Sequence, residues 1–105
     1  MSTPEIVTTP VEVLDNLTHD RFELWASEPE RTFVGFLGYR LERPGVYDLQ
    51  HTIISESFGR QGYARTLVTK VLDQLREREQ RIVPTCSYVQ RYLERFPQYA
   101  DLVES

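Results

Sequence analysis

The chain has 105 residues, 40% apolar and 27% charged, with a net charge of −4 from 12 basic and 16 acidic side chains. That length holds one domain around one core, and the acidic balance excludes a general basic footprint for nucleic acid or an anionic membrane. A single cysteine excludes an internal disulfide; with no signal-like stretch and no apolar run of bilayer length, a cytoplasmic protein is expected.

Residues 1–10 are polar, contain Pro4 and Pro10 and show no periodicity; they read as a flexible N-terminal tail ahead of a single domain over 11–105. Residues 11–14 form a short first strand, and 16–20 are turn material. Residues 21–26 alternate, with Phe22, Leu24 and Ala26 on one face and Arg21, Glu23 and Trp25 on the other. Residues 32–41 form the longest apolar strand. Strict alternation places Phe33, Gly35, Leu37, Tyr39 and Leu41 on one face, with Val34 and Phe36 on the other. Gly35 and Gly38 inside it predict a bulge or a close packing contact. Pro44-Gly45 suits a type II turn, which makes a hairpin into a strand over 46–54.

A loop over 55–61 follows, with Gly59 and Gly62 at its turn points, and opens into a helix from 62 to about 80. Ala64, Leu67, Val68, Val71, Leu72 and Leu75 recur there at three- and four-residue spacing. Residues 81–84 form a short strand, and a strand–helix–strand unit of this length demands a parallel pair. A second helix over 87–96 opens on a capping box of Ser87 and Gln90 and stops at Pro97; Leu102 docks the tail behind it. The fold class is therefore α/β (α+β). Four antiparallel strands and a fifth parallel to the fourth make a mixed five-stranded sheet with two helices, and a ligand crevice is expected at the loop after the fourth strand.

That loop ends at a helix N-terminus, where first-turn N–H groups lack partners and the helix dipole favours an anion. Arg60 and Arg65 read as partners for phosphates, or, in the case of Arg65 one turn into the helix, as a solvated residue. The Gly59/Gly62 spacing is not the dinucleotide fingerprint, and two histidines and one cysteine without ligand spacing give no metal site. His51 is the histidine on a central strand. Its unperturbed pKa of about 6.5 suits deprotonation of an amine. Alternation puts it on the face of Leu49 and Ile53, and it reads either as a base or as a packed histidine. Cys86 sits between the last strand and the last helix, either as a thiol activated by the helix end or as a small buried hydrophobe. The two lie on neighbouring parallel strands and so are able to meet. Tyr88 and Tyr92 are four apart on one helical face, as core residues or as the lining of an acyl pocket.

Leu49-Gln50-His51-Thr52, Gly62-Tyr63-Ala64, Pro84-Thr85-Cys86-Ser87-Tyr88-Val89, Tyr92 and Pro97-Gln98-Tyr99 resemble the blocks of the compact, single-domain branch of the GNAT superfamily of N-acetyltransferases. The resemblance runs from about Arg21 to Leu102. It implies a minimal GNAT-like acyl-CoA N-acyltransferase fold, acetyl-CoA as co-substrate and transfer of an acetyl group to an amine. By position it assigns Ile53 and Ile54 to the pantetheine arm, and Gly59, Arg60, Gln61, Gly62, Tyr63 and Ala64 to the pyrophosphate. Tyr92 joins the cofactor site, and Cys86 and His51 are the catalytic candidates beside the thioester. The loop departs from the family spelling: Gly59 stands where Gln or Arg is usual, Arg60 where Gly is usual, and Tyr63 is bulkier than the customary aliphatic residue. The superfamily's helical pair and C-terminal hairpin for the acceptor have no room here. An open acceptor site suited to a peptide or protein amine is therefore expected, on a monomer or weak dimer with no nucleic-acid or membrane partner. The alternative is a CoA-binding or protein-interaction module with little turnover.

Overall fold

Five strands lie side by side in chain order in the computed structural model, which describes residues 3–104. They are β1 (Val11–Asn16), β2 (Arg21–Ala26), β3 (Thr32–Arg43), β4 (Val46–Ile54) and β5 (Arg81–Pro84). β1 to β4 pair antiparallel, and β5 pairs parallel to β4. Helix α1 (Tyr63–Glu77) carries the chain from β4 to β5, and α2 (Ser87–Arg95) follows β5. Two 3-10 segments, Glu56–Phe58 and Pro97–Leu102, complete the chain. This is the expected mixed sheet with two helices. Among the described residues no helix is long and apolar enough to cross a membrane.

Local chemistry explains the boundaries. The tight turn before β4 holds Gly45 at φ 85°, a conformation that glycine adopts without penalty. α1 ends three residues before its expected limit. Glu79 takes a left-handed φ of 57°, Gln80 N–H donates to Leu75 C=O at 2.8 Å, and Glu79 N–H donates to Arg76 C=O at 3.0 Å. These are the two bonds of a Schellman close, with glutamate where glycine is favoured. The Ser87 capping box is not formed. Cys86 occupies the N-cap of α2 without a side-chain cap bond, and the Gln90 amide instead donates to the carbonyls of Pro84 and Thr85.

Two bulges overturn the strict alternation expected of β3 and β4. Opposite β2, Leu24 pairs with Gly35 and Trp25 with Phe33, so Val34 is an extra residue. Phe33 is thereby turned away from the Leu37 face, against the ring of Trp25 and beneath the guanidinium that also covers Phe36. Val34 turns inward and is fully buried. Opposite β3, Gly38 pairs with His51 and Tyr39 with Leu49, which leaves Gln50 extra. Leu49 is buried in the core, whereas His51 and Ile53 are exposed, so His51 does not share Leu49's face. An extra residue in one strand shifts every later side chain by one face. The strand glycines also serve close approach: a Cβ on Gly38 would lie 2.6 Å from His51 Nε2, and one on Gly35 would lie 2.4 Å from the Ile53 carbonyl oxygen.

The core joins Phe22, Leu24, Leu37 and Leu49 of the sheet to Leu67, Val71, Leu72 and Leu75 of α1 and to Val89 of α2. Tyr99 and Leu102 are buried behind α2, so the tail docks through Leu102 as expected, and Val103 bridges Ile82. The segment ahead of β1 is tied down and forms no strand. Pro4 is buried, Val7 N–H donates to Thr66 Oγ1 at 3.0 Å, and Arg65 Nε donates to the Glu5 carbonyl at 2.5 Å. It crosses the first turn of α1.

Candidate functional site

β4 outruns its partner. Its pairing with β5 ends at Leu49 opposite Pro84, after which Cys86 N–H donates to the Leu49 carbonyl at 2.8 Å and the chain departs into α2. From Gln50 to Ile54 the β5 side of β4 has no strand partner among the described residues. Backbone N–H and C=O groups there are available to an extended, amide-bearing ligand, which is how an added strand binds. The departure point is pinned by Asp48. Its buried carboxylate accepts from the Thr85 hydroxyl and, at 3.5 Å, from the Gln50 amide.

At the other end of this edge the loop turns into α1. Arg60 (φ 58°) and Gly62 (φ 89°) are both left-handed, and Gly62 is the N-cap. A Cβ on Gly62 would lie 3.1 Å from the Arg65 guanidinium. The first bond inside the helix runs from Thr66 N–H to the Gly62 carbonyl at 3.0 Å. The N–H groups of Tyr63, Ala64 and Arg65 therefore have no partner within the helix. No side chain caps this end, and no acidic residue lies in the first turn. An anion is the natural counterpart of such a terminus.

A cleft of about 630 Å³ joins these features, lined by Ile54, Phe58, residues 59–65 and Tyr88. Of the residues assigned from sequence, Ile54, Gly59, Arg60, Gln61, Gly62, Tyr63 and Ala64 come together along it. Ile53 does not: its side chain is half exposed and lies outside the lining. Tyr92 is also outside. It is buried against Phe96 and Tyr99, with its hydroxyl 2.7 Å from Thr69 Oγ1. The bulk of Tyr63 is absorbed inward, where the ring is buried and meets Phe58 edge-on at 5.2 Å. Phe58 enters the cleft without having been assigned to it, and Tyr88, read from sequence as core or as pocket lining, enters it as well. Phe58 was signalled only as a lone aromatic in a polar loop. Tyr88 is half-buried; burial pushes its phenol pKa up, against opposing pulls from Arg65, Arg91 and Arg95.

Cys86 is 5% exposed, and its Sγ lies 3.4 Å from Thr52 Oγ1. The β4 side chain that reaches the thiol is thus Thr52 and not His51. The Gln50 bulge sends His51 to the opposite face of the sheet, where its ring lies over Gly38 and edge-on to Phe36 at 5.7 Å. Cys86 and His51 are not brought into contact. They flank β4 from opposite sides, and His51 borders a shallow hollow of about 230 Å³ with Asp20, Arg21, Phe36 and Gln50.

Residues 21–102 match a family model described as GCN5-related N-acetyl-transferase. Among solved structures, the chain is similar to a GCN5-like protein from Staphylococcus aureus, with a TM-score of 0.63 and 23% identity over 90% of this chain and 88% of that one. At that identity the likeness speaks for the fold. A search of curated proteins gives no match.

Proposed function

Since the chain belongs to the GCN5-related N-acetyltransferase family, we propose that it uses acetyl-CoA to acetylate a peptide or protein amine. The observation that carries this is one continuous path. The unpaired edge of β4 leads from Cys86, where β4 and β5 part, to the uncapped and acid-free first turn of α1. Both ends fit the ligand: a thioester needs a polar hydrogen at its sulfur, and a diphosphate needs N–H donors at close backbone range, which the left-handed Gly62 permits.

When bound, acetyl-CoA supplies an activated acyl carbon and a thiolate leaving group. The N–H groups of residues 63–65 hold the diphosphate, with Arg60 and Arg65 at the rim. The backbone of Ile53 and Ile54 holds the arm. Cys86, oriented by Thr52, donates a proton to the departing sulfur. His51 stands on the open face of β4, across the strand from Cys86, and would take the proton of an amine that reaches the acyl carbon where β4 and β5 part. Among the described residues that face carries no helix, which suits an acceptor presented by a larger partner.

Two measurements test this. Acetyl-CoA is expected to raise the melting temperature where adenosine does not, and free CoA thiol is expected to accumulate with a panel of peptide amines. Binding without thiol release would reduce the protein to a CoA-binding module. No shift at millimolar acetyl-CoA would remove the cofactor altogether.

A further inference from the structure

The arginines elsewhere in this fold are ion-paired with carboxylates. Among the described residues the exceptions are Arg60, Arg65, Arg91 and Arg95. In a chain of net charge −4, these unpaired cations are gathered at one end of the cleft. Arg65, Arg91 and Arg95 line a groove of about 200 Å³ between α1 and α2, over Tyr88, Tyr92 and Phe96. Arg65 and Tyr88 also line the main cleft, so the groove continues it. The cations are held in place. Arg65 is tied through Nε to the Glu5 carbonyl, Arg91 lies over the Tyr88 ring at 6.0 Å, and Arg95 lies over the Phe96 ring at 5.4 Å. Glu5 borders an adjoining hollow with Arg65 and Arg95 but forms an ion pair with neither. Arg91 and Arg95 are four apart on one helix, a like-charge spacing that is unfavourable unless an anion offsets it.

We propose that Arg65, Arg91 and Arg95 form a phosphomonoester subsite that receives the ribose 3′-phosphate of coenzyme A. The inference rests on the acetyl-CoA reading. The diphosphate is served by backbone N–H groups at the start of α1. The remaining anionic group on the same ligand is a terminal, doubly charged phosphate on the adenosine. Guanidinium forks match such a group in geometry and charge. The protein then discriminates coenzyme A from 3′-dephospho-coenzyme A, and Arg91 and Arg95 set that preference without touching the acyl end.

The test is titration calorimetry of both ligands against the wild-type chain and against an Arg91→Ala/Arg95→Ala variant. Both side chains are exposed, and melting temperatures check the fold. The wild type is expected to bind coenzyme A about tenfold or more tighter than the dephospho form. The variant is expected to lose that preference while binding the dephospho form as before. Equal wild-type affinities, or a preference that survives in the variant, would overturn the subsite and leave the acetyl-CoA reading intact. Wild-type binding of neither ligand would overturn both.

Discussion

Cys86 and Thr52 make a pair whose value depends on burial. A thiol 5% exposed, with one hydroxyl at 3.4 Å, is oriented and shielded from bulk water. If the thiol protonates the leaving sulfur, Cys86→Ala should lower kcat by about 100-fold or more, in the range of general acid catalysis, while leaving the dissociation constant for acetyl-CoA unchanged. Steady-state rates beside calorimetry separate the two quantities. Thr52→Val should give a smaller loss of kcat in the same direction. Glu23 shows how the same sheet places charge on its open face. Burial works to raise its pKa, but hydrogen bonds from Asn16, Arg21 and Trp25 outweigh it and hold the carboxyl below its ordinary 4.5. A depressed folded-state pKa stabilises the fold above the unfolded value, and that contribution is lost as pH falls through the folded value. Glu23→Gln should therefore cost about 1 kcal/mol at neutral pH in urea titrations, with the difference from wild type shrinking below pH 4.5.

α1 joins fold to function, because its buried stripe fixes where its free N-terminus points. Gly62 sits at φ 89° with Arg65 beside the missing Cβ. Gly62→Ala forces an L-residue into a left-handed conformation at a cost of about 1–2 kcal/mol. It should also weaken acetyl-CoA binding more than it lowers the affinity for a phosphate-free pantetheine thioester. The other end carries the reverse opportunity: Glu79→Gly relieves the left-handed close and should stabilise by about 1 kcal/mol, visible as a raised melting temperature. α1, the parallel β4–β5 pair and the Gly62 turn were legible in the sequence because each rests on local pattern: helical periodicity, crossover length and glycine spacing. The bulges at Val34 and Gln50 were not. Gly35 and Gly38 warned of one, but alternation cannot say which neighbouring residue is extra. One residue decides whether His51 faces Cys86 or solvent. Phe58 was hidden for a related reason, since a loop has no period from which to read a face.

At the scale of the whole molecule, both helices and the C-terminal segment share in one core. The opposite side presents Trp25, Phe33 and Phe36, which are partly buried, and His51 and Ile53, which are exposed. On the proposed reading the acceptor would have an open approach there, while the CoA path would run along the edge of β4 and over the start of α1. The segment across that start, from Glu5 to Val7, reads in sequence as a tail because its hydrogen bonds are made through backbone atoms, the Glu5 carbonyl to Arg65 and the Val7 N–H to Thr66, and Val7 alone packs its side chain against the core. Composition carries no record of such bonds. A crystal structure of the protein with coenzyme A tests the central claim most directly. The diphosphate should lie on the N–H groups of residues 63–65, with the arm along the unpaired edge of β4 and the sulfur within hydrogen-bond reach of Cys86. Coenzyme A bound on the His51 face, or with its sulfur remote from Cys86, would contradict it.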